Sequence, residues 1–435
     1  MENNLFNIRQ DILDMSNKVE EELNPIFEEL DNNCLKNSSK VLKVFQQNNV
    51  GTNDFAEITG YGYSDPGREK LEKMYSEIFG TEDAIVRPQI MSGTHALKIA
   101  LFGLLKYGDT FISISGEPYD TLKSIIGITG NSKNSLMAHG IKYEEIPLVN
   151  DEFDFEAIKE RISKKDVKLV EIQRSRGYSH RSSIVIDRIE KAIKIVKEAD
   201  PNCIVLVDNC YGEFTEVKEP TEVGADIMIS SLMKNLGAGI ATSGGYVVGK
   251  KEYIEMIAEE LTTPTIGKDL GANFNVLLTY YKGLFLAPKA VNAALKSMIY
   301  ASKMLENFGF EAIPRYCDKR TDIIQTVELK TRENLIKFCQ GIQEGSPIES
   351  YVVPIPDQTP GYPNEEIMAG GSFTPGSTIE LSCDGPLIEP FTAYMQGGLT
   401  YEYGKLGVQI ALNKMLNEWL RRLLWILTLT IILKI

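Results

Sequence analysis

Apolar residues recur at helical spacing through residues 5–48, with Ile8, Ile12, Met15, Val19 and Leu23 on one stripe. The break at Asn24-Pro25 predicts that a second helix restarts there, giving an N-terminal helical arm of two helices over residues 1–55. The pattern then lapses into turn residues and phenols, Gly60, Tyr61, Gly62 and Tyr63, before Pro66-Gly67-Arg68 opens the next helix. Beyond that point short β-rich runs at 84–86, 110–114, 168–173, 204–208, 227–230 and 245–248 alternate with amphipathic helices, among them 94–105 and 184–199. This alternation predicts an α/β fold, a mainly parallel mixed sheet covered by helices on both faces, with ligands at the carboxyl ends of its strands. We place this large domain at 56–290. A long helical stretch over 275–307 leads into a region rich in Pro and Gly, read as a smaller α/β C-terminal domain at 291–418 with strands at 326–329, 351–353 and 378–382.

Residues 419–435 form an apolar tail holding both tryptophans, Trp419 and Trp425. Its uninterrupted run from Leu423 to Leu433 is shorter than the ~20 residues a membrane-spanning helix needs. Membrane association is therefore not expected, and the tail reads either as an element packed on the body or a partner subunit, or as an end unrelated to the rest.

Composition narrows the partners. The chain has 435 residues and a formal charge of −14, which opposes any grip on nucleic acid or anionic lipid. Six cysteines are scattered without a C-x-x-C pair, as suits reduced thiols, and the N-terminus lacks a secretory run, so cytoplasmic residence is expected. The three histidines lack metal-site spacing, and no dinucleotide, P-loop or G-x-S-x-G motif occurs.

The chemistry sits in one ordered set of residues. Asp208 closes the apolar run 204–208, and Lys234 follows in the polar turn Ser230-Ser231-Leu232-Met233-Lys234-Asn235. Pyridoxal 5'-phosphate needs this pair of groups: an amine to hold its aldehyde as a Schiff base, and a carboxylate to keep its pyridine nitrogen protonated. Ser92-Gly93-Thr94 opens a predicted helix, where backbone N–H groups and the helix dipole can hold a phosphate, although a plain helix cap reads the same way. Tyr119 lies beyond the strand 110–114, placed either to stack on the cofactor ring or to sit as an ordinary loop tyrosine. Arg174 and Arg176, in Gln173-Arg174-Ser175-Arg176-Gly177-Tyr178, follow a strand of the same sheet and are candidates to clamp a substrate carboxylate, or else belong to a basic surface loop.

The segments Ser-Gly-Thr-His-Ala, Glu-Pro-Tyr-Asp-Thr-Leu, Gln-Arg-Ser-Arg-Gly-Tyr, Val-Asp-Asn-Cys-Tyr-Gly-Glu-Phe and Ser-Leu-Met-Lys-Asn-Leu-Gly-Ala-Gly resemble the bacterial methionine gamma-lyase family, also labelled aluminum resistance or cystathionine beta-lyase family proteins. The resemblance covers roughly residues 4–417. It implies a fold type I pyridoxal phosphate enzyme, a homotetramer with active sites shared between subunits. It further implies Lys234 as the Schiff-base lysine and catalytic base, Asp208 as the pyridinium partner, Gly93, Thr94 and Ser231 as phosphate ligands with Ser92 beside them, and Tyr119 as the stacking ring. The loop 61–67 resembles the segment such lyases lend to a neighbour's phosphate, bringing in Tyr61 and Tyr63. An arginine expected in that loop is replaced by Gly62 or Tyr63, leaving Arg68 as a substitute, and an arginine expected before Leu-Ser is Glu380, which cannot clamp a carboxylate. The implied activity is a carbon–sulfur lyase on a sulfur-containing amino acid. Alternatives on the same fold are an aminotransferase or aldolase, or a non-catalytic pyridoxal phosphate-binding stress protein.

Overall fold

The computed structural model describes residues 4–61, 63–177, 179, 181–358 and 364–432, the side chains from 418 onward excepted. The chain divides into two compact units, one of residues 31–292 and 319–323, the other of 1–30, 293–318 and 324–435.

The first unit is built on a seven-stranded sheet, in the order β1 (Asp83–Arg87), β7 (Gly245–Gly249), β6 (Ile227–Ser231), β5 (Ile204–Asp208), β4 (Val167–Gln173), β2 (Thr110–Ser113) and β3 (Lys142–Glu145). The five strands from β6 to β3 are parallel, and β7 runs against both of its neighbours. β5 is buried at every position, as a central parallel strand must be. Its side chains alternate between two cores. Ile204 and Leu206 join the core that includes Leu97 and Leu101 of α3 (Gly93–Leu104) and Ile254 and Ile257 of α7 (Lys251–Leu261). Val205 and Val207 join Ile158 of α5 (Phe155–Ile162) and Ile189 and Ile193 of α6 (Ile186–Ala199). Helices α2 (Pro66–Ile78) and α4 (Asp120–Ile126) also belong to this unit.

The second unit holds an antiparallel sheet in the order β10 (Asp357–Gln358), β11 (Glu365–Ala369), β12 (Ser382–Pro386), β13 (Thr392–Gln396), β9 (Ile324–Glu328) and β8 (Glu311–Ile313). Helices α9 (Arg332–Glu344) and α10 (Tyr401–Ile432) pack so closely that a Cβ on Gly341 would collide with the backbone of Ala411. The backbone of the apolar tail thus continues α10 as far as Ile432, whereas the tail's side chains lie outside the described residues. Among the described residues no helix is long and apolar enough to cross a membrane.

Several expectations are corrected. The N-terminal segment is one helix, α1 (Gln10–Gln47), with Pro25 inside it, not a two-helix arm over 1–55. The proline removes one N–H donor, and the carbonyl that loses its bond belongs to solvent-exposed Glu21, where water can take over. Burial of Ile12, Val19 and Leu23 in the second unit's core outweighs that local loss. Accordingly the domain division differs from 1–55, 56–290 and 291–418: α1 and α8 (Leu277–Asn307) each begin in one unit and end in the other. Residues 351–353 are exposed loop rather than strand, and 378–380 bend, so that β12 begins only at Ser382.

Since Leu23 is fully buried, Leu23→Ala should cost about 2–5 kcal/mol of stability. Chemical denaturation measures this, and a loss below ~1 kcal/mol would remove that part of α1 from the core.

Candidate active site

The carboxyl ends of β4, β5 and β6 bring the sequence candidates together within the first unit. Gln173 pairs with Asp208 across β4 and β5, and Asp208 with Ile229 across β5 and β6. Asp208 is buried, and its Oδ1 accepts the amide of Cys210 at 3.0 Å. Lys234 follows β6 in a turn whose amide donates to the Ser231 carbonyl at 3.4 Å.

The two groups act on one another. Burial works to lower the basicity of Lys234, whereas the negative charge that Cys210, Tyr211, Asp208 and Tyr119 can carry around it raises its amine well above the ordinary lysine value. Burial pushes Cys210 up to about 12, and burial with the Asp208 charge pushes Tyr119 well above the usual phenol range. Thiol and phenol are therefore neutral at pH 7. Asp208 is the acidic side chain among the groups that act on the amine.

Helix α3 supplies the other wall. Ser92 is its N-cap, accepting the His95 amide at 3.1 Å. The first-turn amides of Gly93 and Thr94 have no carbonyl one turn back to receive them, so they remain available to an anion. A Cβ on Gly93 would lie 3.0 Å from Cys210 Sγ and 3.6 Å from Ser231 Cβ. Only glycine lets the helix start press this closely against the ends of β5 and β6. Ser231 Oγ accepts the Met233 amide at 3.1 Å, closing the turn that carries Lys234. Tyr119, the N-cap of α4, shares a hydrogen bond of 3.1 Å with Thr94 Oγ1, and its amide donates to Gln173 Oε1 at 3.1 Å. Ser92, Gly93, Thr94, Tyr119, Asp208, Ser231 and Lys234 thus occupy one site. The set fits a phosphorylated, ring-bearing aldehyde cofactor: α3 offers the anion cradle, and the amine and carboxylate are both present.

The arginines are placed otherwise. The expectation that Arg174 clamps a substrate carboxylate is corrected, because its guanidinium is fully buried. Its Nη1 donates to Asn209 Oδ1 at 2.8 Å and the Gly212 carbonyl at 3.0 Å, and ion pairs join it to Glu216 at 2.9 Å and Glu219 at 3.4 Å. Arg176 is also buried and folds back on its own loop, donating through Nε and Nη2 to the Ser179 carbonyl at 3.2 Å. Arg68 is no free substitute for the missing loop arginine either, since it donates to the Gly271 carbonyl at 2.7 Å and is buried. Tyr61 and Tyr63 remain 77% and 62% exposed, outside the cluster, and Gly62 lies outside the described residues. In the second unit, Glu380 accepts the amides of Phe373 at 2.9 Å and Thr374 at 3.2 Å, so this glutamate organises a loop.

Four residues at the site were missed in the sequence. Cys210 and Tyr211 directly follow Asp208 and meet Lys234, whose Nζ lies 4.0 Å from the Tyr211 ring centre. Glu171 and Gln173 are buried polar residues at alternate positions of a strand whose other residues, exposed Lys168 excepted, are apolar, which marks one face. Burial pushes the Glu171 carboxyl up to about 8 despite the hydrogen bond of 2.8 Å from Ser113, and the Asp208 charge adds to the rise.

The methionine gamma-lyase family profile matches residues 12–416. An uncharacterized protein of Bacillus subtilis (strain 168) is 44% identical over 405 residues, covering 93% of this chain and 96% of that protein. The crystal structure of a carbon-sulfur lyase involved in aluminum resistance from Clostridium novyi NT superposes with a TM-score of 0.91 at 44% identity, covering 94% of this chain and 97% of that one. A pyridoxal-5'-phosphate dependent protein from Escherichia coli shares the fold at TM-score 0.60 and 17% identity, covering 89% of this chain and 97% of that one.

Two outcomes test these placements. Arg174→Met, which strands buried Glu219, should cost about 3–5 kcal/mol in chemical denaturation, and a stable variant altered only in KM would restore the clamp assignment. Because the folded state holds Glu171 protonated, its contribution is present below the unfolded pKa near 4.5 and lost as pH rises through about 8. Glu171→Gln should therefore flatten the fall in stability between those pH values, and an unchanged slope refutes the assignment.

Proposed function

We propose that this chain, which belongs to the methionine gamma-lyase family, is a pyridoxal 5'-phosphate-dependent carbon–sulfur lyase that converts a sulfur-containing amino acid to a keto acid, ammonia and a thiol. The observation that carries this reading is the placement of Lys234 and Asp208 in one buried site beside the N-terminus of α3. When bound, pyridoxal phosphate supplies an electron sink for charge that develops on the substrate α-carbon.

The chain's residues have separate tasks. Lys234 would hold the cofactor aldehyde at rest and, once displaced by the substrate amine, take the Cα proton on Nζ. Asp208 would keep the pyridine nitrogen protonated, a role that suits a carboxylate already fixed by the Cys210 amide. Gly93 and Thr94 amides, with Ser92 and Ser231, would hold the phosphate. Tyr119, fixed by Thr94 and Gln173, would cover the ring. Asp208, Gly93 and Ser231 are buried, which strengthens charge interactions at the base of the site, whereas Ser92, Thr94, Tyr119 and Lys234 are half-buried. The exposure of Tyr61 and Tyr63 supports a loop offered to a neighbouring subunit in a homotetramer.

Purified wild-type protein should show a visible absorbance band with pyridoxal phosphate that Lys234→Ala abolishes. A chain that takes up no cofactor defeats the proposal. Release of keto acid and ammonia without an acceptor keto acid is expected on screening sulfur amino acids; dependence on an acceptor would instead identify a transaminase.

A further inference from the structure

Tyr211 adopts φ +71°, in the left-handed region that a bulky side chain rarely enters. Such strain persists only where the surroundings impose it. Here the chain turns sharply after Asp208, with the Gly212 amide bonded to the Asn209 carbonyl at 2.9 Å. Arg174 grips the far side of that turn through the Gly212 carbonyl and Asn209, and a Cβ on Gly212 would lie 2.8 Å from the Arg174 guanidinium. The buried arginine thus enforces the turn. The turn in turn sets the Tyr211 ring 4.0 Å from Lys234 Nζ.

We propose that Tyr211 is a positioning residue for Lys234: its ring face receives the ε-ammonium whenever the amine is not bonded to the cofactor. The assignment rests on the reading of Lys234 given above. In that reaction the Cα–H electron pair stays with the substrate and the proton passes to Nζ, creating a positive charge on an amine that burial desolvates. An aromatic face within about 6 Å attracts such a cation, more strongly when it is desolvated. The titratable groups that act most strongly on Lys234 are Cys210, Tyr211, Asp208 and Tyr119. Asp208 fixes the charge balance, and the ring of Tyr211 fixes where the ammonium rests. The lysine is thereby kept within reach to deliver its proton and to rebond the cofactor.

The test is the pH dependence of Lys234 labelling by acetic anhydride in the full-length chain without cofactor, read by mass spectrometry. Only the unprotonated amine reacts. Tyr211→Leu should shift the midpoint down by about one pH unit, roughly a tenfold change in the ratio of free to protonated amine. Tyr211→Phe keeps the ring and should titrate within about 0.3 unit of wild type, a twofold change. Leucine and phenylalanine meet the left-handed backbone under strain comparable to tyrosine's, so the difference between them reports the ring. Tyr211→Asn, which tolerates that backbone, removes the ring with less risk to folding and should shift as leucine does. A wild-type midpoint in the leucine and asparagine variants overturns the proposal, as does a phenylalanine variant that shifts with them. A wild type that titrates as expected but binds no pyridoxal phosphate sinks the lyase reading separately.

Discussion

The convergence of Lys234 and Asp208 at one strand edge is the constraint on which the rest depends. Transferring either ion out of water is costly, and their attraction offsets that cost only if the surrounding dipoles are fixed. The site meets that condition through backbone: the Cys210 amide holds Asp208, and the Ser231 carbonyl and hydroxyl close the turn that carries Lys234. Neighbouring Cys210 and Tyr119 stay protonated at neutral pH because burial disfavours their anions. A cofactor with a basic ring nitrogen and an aldehyde gives each member of the pair a new partner without requiring the protein to bury a second uncompensated charge.

Sheet topology supplies the convergence. Parallel β4, β5 and β6 end on the same edge, so polar residues at their carboxyl ends come together although they are far apart in sequence. The start of α3 can join them because Gly93 carries no side chain at the point where Cys210 and Ser231 approach. Geometry at this edge is rigid for a reason that lies behind it, where Arg174 crosslinks Asn209, Gly212, Glu216 and Glu219. That network fixes the turn after Asp208, which in turn fixes Tyr211 against the lysine.

Much of the large sheet was legible because β4 to β7 each carry a stretch of aliphatic residues bounded by turn residues, and the predicted run 204–208 coincides with β5. β3 was not, since its Lys-Tyr-Glu-Glu sequence belongs to an edge strand with no buried face to betray it. Pro25 misled in the opposite direction: a local breaker was outvoted by long-range burial of Val19 and Leu23, which sequence spacing alone does not weigh. At the site, the ordered motif revealed the lysine, the carboxylate and the helix start. It did not reveal Tyr211 or Glu171, whose roles arise from a strained turn and a buried strand face.

The arginines show where such reading stops. Arg174 and Arg176 sit after the right strand with the right chemistry, and nothing local distinguishes a substrate clamp from a structural crosslink. For Arg174 the distinction lies in acidic groups supplied from elsewhere, Glu216 and Glu219, and for Arg176 in a loop that turns back so that its own Ser179 carbonyl takes the guanidinium. Freeing Arg174 for a substrate would leave Glu219 buried without its cation, a loss of several kcal/mol that a single carboxylate ligand does not repay. Glu380 makes the complementary point, since its carboxylate is already held by two backbone amides. Neither Arg174 nor Glu380 is thus free to receive a carboxylate, and the crosslink at Arg174 holds the turn that carries Tyr211 toward the lysine.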